Sequence, residues 1–103
     1  MATDQKTADF IVDQMRAGGD LRSRKMFGEY ALYCNEKVIT FICDDRLFLK
    51  VTEPGLKLLP EADHEPAYPG AKLSIVVPED VWDDHRLMAE LARVTAEALP
   101  RKK

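Results

Sequence analysis

Residues 23–51 read SRKMFGEYALYCNEKVITFICDDRLFLKV, and the fold turns on how this stretch is divided. Asn35-Glu36 and Asp44-Asp45 break runs rich in β-branched and aromatic residues, and Asn and Asp tolerate the left-handed backbone of tight turns. The spacing predicts three or four strands, at about Ser23–Phe27, Glu29–Cys34, Lys37–Cys43 and Arg46–Val51. The links are too short for parallel crossovers, so the strands form an antiparallel meander. With a two-residue turn at Asn35-Glu36, Leu32 is expected opposite Ile39 and Tyr30 opposite Phe41 on one face. Tyr33 then opposes Val38, and Ala31 opposes Thr40, on the other. Phe48 is expected beside Phe41, and Leu47, Leu49 and Val51 beside Ile42. Both faces come out apolar, so either helices cover both or one meets another chain.

Helices are expected on either side of this block. Thr3 or Asp4 caps a first helix that runs to about Arg16 and ends at Gly18-Gly19. Ala8, Ile11, Val12 and Met15 form its buried stripe. Phe10 points away from that stripe, and packing under a loop is preferred for it over contact with a partner. Thr52-Glu53-Pro54 starts a short helix through about Leu59, stopped by Pro60. Residues 61–71 read as a loop, and Lys72–Val77 as a last strand with Leu73, Ile75 and Val77 on one face. After a helical turn at Pro78–Val81, a final helix spans about Asp83–Leu99. Its buried side is Leu87, Leu91, Val94 and Ala98, widened by Met88 and Leu99, with Arg86, Glu90, Arg93 and Glu97 opposite. Arg101-Lys102-Lys103 is expected to fray. The order makes a two-layer α+β domain, an antiparallel sheet with flanking helices.

Composition narrows the function classes. The 103 residues suit one domain, and 46% hydrophobic content supports a packed core. A net charge of −3 argues against nucleic-acid binding by the whole surface, which needs excess cations. No apolar run approaches membrane-spanning length, and Met1 to Gln5 lacks a basic-then-apolar leader pattern, so a cytoplasmic location is expected.

Reactive constellations are sparse. Ser23 and Ser74 lie in no nucleophile turn. Cys34 and Cys43 sit roughly 20 Å apart at ~3.3 Å per strand residue, too far for a disulfide, and read as strand thiols. Asp63-His64-Glu65 and Asp83-Asp84-His85 supply ligand atoms, but contiguous residues do not converge on one ion, so no metal is expected. Asp83 and Asp84 serve better as a helix start. Neither a phosphate cradle nor a dinucleotide fingerprint occurs. No catalytic residue and no cofactor is therefore expected. The charges are less uniform: residues 21–50 hold six basic and four acidic groups. Arg22, Arg24, Lys25 and Arg46 are the candidate anion contacts there, although alternation sets Lys25 on the opposite face from Arg22 and Arg24.

The segment Arg24-Lys25-Met26-Phe27-Gly28-Glu29-Tyr30-Ala31-Leu32-Tyr33 resembles the signature of TfoX/Sxy N-terminal domains. The resemblance continues at Asp44-Asp45-Arg46-Leu47-Phe48-Leu49-Lys50, at Tyr68-Pro69-Gly70 and at Val77-Pro78-Glu79. It implies a fold similar to type III secretion chaperones, and relatives that include regulators of natural competence acting beside a transcription activator. Longer members add a helical C-terminal domain; this chain is expected to be the first domain standing alone. Arg24, Lys25, Met26, Phe27, Gly28, Tyr30, Tyr33, Tyr68, Pro69 and Gly70 are the signature and candidate interaction residues. Gly28 is read as a bend or bulge between strands. A protein partner or homodimer is expected, with direct nucleic-acid binding through Arg22, Arg24, Lys25 and Arg46 as the alternative. A small-ligand site near Tyr33, Tyr68 and Cys43 is the third reading.

Overall fold

The computed structural model describes residues 3–100, and the expected frayed tail lies outside them. Asp4 caps α1 (Gln5–Met15), its carboxylate accepting from the Lys6 amide at 2.9 Å. The stripe of Ala8, Ile11, Val12 and Met15 is buried as expected. A single 3-10 turn over Arg16–Gly18 leads into β1 (Leu21–Met26), followed by β2 (Glu29–Cys34), β3 (Lys37–Cys43) and β4 (Arg46–Leu49). Thr52 caps α2 (Glu53–Leu58), with Pro54 in its first turn. The chain continues through β5 (His64–Pro66), β6 (Leu73–Val77), α3 (Glu79–Trp82) and α4 (His85–Ala98). Asp84 starts α4 by accepting from the Leu87 amide at 3.1 Å. All strand pairs are antiparallel, in the order β1-β2-β3-β4-β6-β5. The protein is a two-layer α+β domain. Among the described residues, no helix is long and apolar enough to cross a membrane.

Three hairpins set the meander, and each turns on two residues with positive φ. Asn35 and Glu36 stand at 53° and 70°, Asp44 and Asp45 at 54° and 57°. Phe27 and Gly28 stand at 52° and 82°, so Phe27 is a turn residue rather than the end of a strand, and Gly28 makes a tight turn rather than a bulge. The bulge lies one strand later. Tyr33 faces Val38 as expected, but Leu32 then pairs with Thr40, Ala31 with Phe41 and Tyr30 with Ile42. The extra residue, Ile39, overturns the straight register. Ile39 and Ile42 are three apart and both fully buried in the helix-side core, which strict alternation forbids. Thr40 is carried inward too, and its hydroxyl has no partner among the described residues.

Helices pack on one face only. Tyr30, Leu32, Cys34, Ile39, Ile42, Leu47, Leu49, Ile75 and Val77 meet Ile11, Met15, Met88 and Leu91 there in one core. Burying a side chain of this size stabilises by about 1.5–3 kcal/mol. The buried side of α4 is Met88, Leu91, Ala92, Thr95 and Ala96, rotated from the expected one; Val94 is half-buried and Ala98 exposed. Small residues turn inward because the neighbouring chain comes very close: a Cβ on Gly18 would overlap the Ala89 carbonyl oxygen and stand 3.2 Å from the Ala92 Cβ. Lys37 reaches from β3 to cap this helix, donating to the Ala96 and Leu99 carbonyls at 2.7 and 2.9 Å. Trp82 is buried and donates its indole N–H to the Val77 carbonyl.

The other face, bearing Ala31, Tyr33, Phe41, Cys43 and Phe48, has no helix on it. A loop of the same chain crosses part of it, with Tyr68 against Phe41, so helices do not cover both faces. Residues 61–71, read as irregular, contain the edge strand β5, too short for alternation to reveal. Val51 lies beyond β4 and is 42% exposed; Leu73, the first residue of β6, is 60% exposed although alternation sets it on the side of the buried Ile75 and Val77.

Candidate functional site

The sequence from Met26 to Glu29 forces a sharp reversal, and the side chain at its first corner is left in solvent. Phe27 is 105% exposed, while its backbone occupies the left-handed region that bulky side chains avoid. Beside it opens a groove of about 510 Å³ with apolar walls. Met26 and Phe27 form one wall, and Phe41 and Cys43 the floor. Ala67, Tyr68 and Pro69 form the opposite wall. The Tyr68 ring stands edge-on to Phe41 at 6.0 Å and 88°.

Polar bonds hold the rim. The Glu29 carboxylate accepts from the Thr3 hydroxyl and from the Asp44 amide at 3.1 Å. The Thr3 amide donates to the Gly28 carbonyl, and the Asp4 amide to Asp45 Oδ1, both at 3.0 Å. The start of the chain thus ties the β1–β2 turn to the β3–β4 turn. Burial, and then the Glu29 charge, pushes the Cys43 thiol up from its ordinary pKa. Cys34 is also raised, first by burial and then by Asp20, against a smaller opposing effect of Lys37. Both thiols are free, and neither is activated as a thiolate. Among the described residues, no group of three or more His, Cys, Asp or Glu is placed to hold a metal ion.

The signature residues do not all converge. Met26, Phe27, Tyr30, Tyr68 and Pro69 line the groove, and Gly28 makes its turn. Tyr33 lies away from it, in a shallow depression with Lys37 and Leu99. Gly70, with φ 88°, turns the chain after Pro69 and lines a neighbouring hollow. Arg24 and Lys25 are exposed on β1. Sequence reasoning missed Phe41, Glu29 and Asp44 as site residues. The odd spacing of Ile39 and Ile42 is the signal that would have moved Phe41 to this face.

The four cations do not form one patch. Arg22 pairs with Asp20 at 3.4 Å. Arg46 pairs with Glu65 at 2.8 Å and stacks over the Phe48 ring at 5.2 Å. That hydrogen bond to Glu65 is the main reason its guanidinium pKa is raised. β4 stands three strands from β1, roughly 14 Å at ~4.8 Å per strand.

The fold and site define a small α+β domain with an apolar groove on the sheet face that the helices leave open. The family model for the TfoX N-terminal domain matches residues 13–99, and the chain belongs to that family. It is 50% identical over 107 residues to a protein of Spirochaeta aurantia described as an uncharacterized 12.7 kDa protein in the trpE 5′ region. That alignment covers 100% of this chain and 89% of the relative.

Proposed function

We propose that this domain is a non-catalytic protein-interaction module with an accessory role in regulating transcription, related to control of DNA-transformation competence. One observation carries the interaction reading: Phe27 is held in solvent, in an unfavourable backbone conformation, at the mouth of an apolar groove. Strain of this kind costs about 1–3 kcal/mol and concentrates at functional sites, and exposed aromatics beside pockets are typical anchors of protein interfaces. Family membership supports the regulatory part of the proposal. Two protonated thiols offer poor nucleophiles, which favours binding over catalysis. Nucleic acid is the weaker alternative, because Arg22 and Arg46 are engaged by acidic neighbours and stand apart.

Photo-crosslinking tests the proposal. A photoreactive phenylalanine analogue at position 27, activated in the native cell, is expected to trap a protein, and Tyr68→Ala is expected to reduce the adduct. Adducts only with nucleic acid, or none at all, would overturn it. Light scattering at micromolar concentration separates a second copy from a different protein: a mass twice the 11.7 kDa of the chain makes the partner a second copy.

A further inference from the structure

The sheet has two edges, and they differ. β5 is three residues long and ends in Pro66, so it offers little to another strand. β1 is six residues long, pairs with β2 along its whole length, and has no strand on its other side. The Asn35 amide donates to the Asp20 carbonyl at 3.0 Å, which sets the phase of the ladder. Arg22, Arg24 and Met26 therefore point their backbone groups at β2, and Leu21, Ser23 and Lys25 present theirs outward.

A groove of about 600 Å³ runs between this edge and α1. Phe10, 42% exposed, lies along it with Val12 and Leu21, so Phe10 is not packed under a loop. Acids and cations are balanced at this end: Asp13 pairs with Arg16 and Asp20 with Arg22, leaving Asp9 as the extra charge. Farther along β1, Arg24 and Lys25 make no ion pair among the described residues and project to opposite faces. The edge thus reads apolar at Leu21 and basic at Arg24-Lys25.

We infer that β1 receives an extended segment of a partner protein as a seventh, antiparallel strand. That segment carries carboxylates at its N-terminal end and an apolar side chain about four residues later. The carboxylates face Arg24 and Lys25, one on each side of the new strand, and the apolar side chain covers Phe10 and Leu21. Outward N–H and C=O groups of Leu21, Ser23 and Lys25 supply the ladder. A second copy of this chain does not fit, because the outward phase centres self-pairing on Ser23, which would set Arg22 against Arg24 twice, and like charges directly opposed repel. The inference rests on the reading of the domain as a protein-binding module, but uses a surface separate from the Phe27 groove.

The probe is a fluorescent, end-capped peptide, Thr-Glu-Glu-Val-Thr-Leu-Thr, titrated into the whole chain by anisotropy and amide chemical-shift mapping. Binding is expected to perturb Leu21 to Lys25 and Phe10. Arg24→Glu with Lys25→Glu is expected to weaken it at least tenfold, as is N-methylation of the peptide amides that face β1. The methylated ligand leaves the protein's own folding untouched. Phe27→Asn is expected to leave the affinity unchanged, so loss of this site is separable from loss of the groove. Absence of binding at millimolar peptide, equal binding of the methylated peptide, or shifts confined to the Phe27 groove would each overturn the inference.

Discussion

At the scale of single residues, Phe27 opposes local preference, and its cost can be measured. A side chain with a Cβ in the left-handed region is disfavoured by roughly 1–2 kcal/mol, and Asn followed by Gly suits this turn far better. Phe27→Asn is expected to stabilise the fold by about 0.5–1 kcal/mol and raise Tm by about 2–8 °C in calorimetry. A fall in Tm would mean that the ring supports the core instead. The thiols form a second case. Burial raises both pKa values, so alkylation by iodoacetamide at pH 7.5 is expected to be slower than for free cysteine and to quicken at higher pH. Folded Cys34 and Cys43 hold their protons more tightly than the unfolded chain does. Their contribution to stability is therefore full below the ordinary thiol range and lost as pH rises through the raised folded values. A flat urea midpoint between pH 7 and 10, once other groups are accounted for, would contradict this.

At the scale of elements, one small residue lets a helix settle. Gly18 lies under α4 so closely that any Cβ meets the Ala89 carbonyl. Gly18→Ala must push the helix outward or bend the 3-10 turn, and is expected to cost about 1–3 kcal/mol in urea denaturation. The same crowding explains why Ala92, Thr95 and Ala96 join Met88 and Leu91 on the inward side of α4, while Leu87 and Val94 are only half-buried. Periodicity alone points to Leu87, Leu91, Val94 and Ala98, widened by Met88 and Leu99; Leu91 and Met88 are indeed buried, but a hydrophobic pattern marks the greasiest side and not the closest approach. Both readings of the outer charges agree, with Arg93 pairing Glu90 and Glu97.

Across the whole molecule, the Glu29 carboxylate links three distant pieces of chain. It accepts from Thr3 at the start and from Asp44 in the β3–β4 turn, while sitting at the β1–β2 turn itself. Bonds to a charged acceptor contribute about 1.5–3 kcal/mol each at best, less where solvent reaches them. Glu29→Ala is expected to lower unfolding free energy by about 1–3 kcal/mol. Thr3→Ala in that background should add much less than it does alone, a double-mutant coupling that equilibrium denaturation can measure. Full additivity would show the two sites to be independent.

The local chemistry of the chain was enough for the helix start at Thr52, for narrowing the other caps to Thr3 or Asp4 and to Asp83 or Asp84, for the Asn35-Glu36 and Asp44-Asp45 turns, and for the antiparallel meander. Each of these depends on neighbours within a few residues. The bulge at Ile39, the rotation of α4, the three-residue β5 and the placing of Phe41 beside Tyr68 depended on the folded whole. So did the groove, whose walls come from residues 26–27, 41–43 and 67–69. Its signature residues were legible as a motif, but their meeting was not. Packing between segments distant along the chain decides how surfaces meet, and no local spacing records the space left between them.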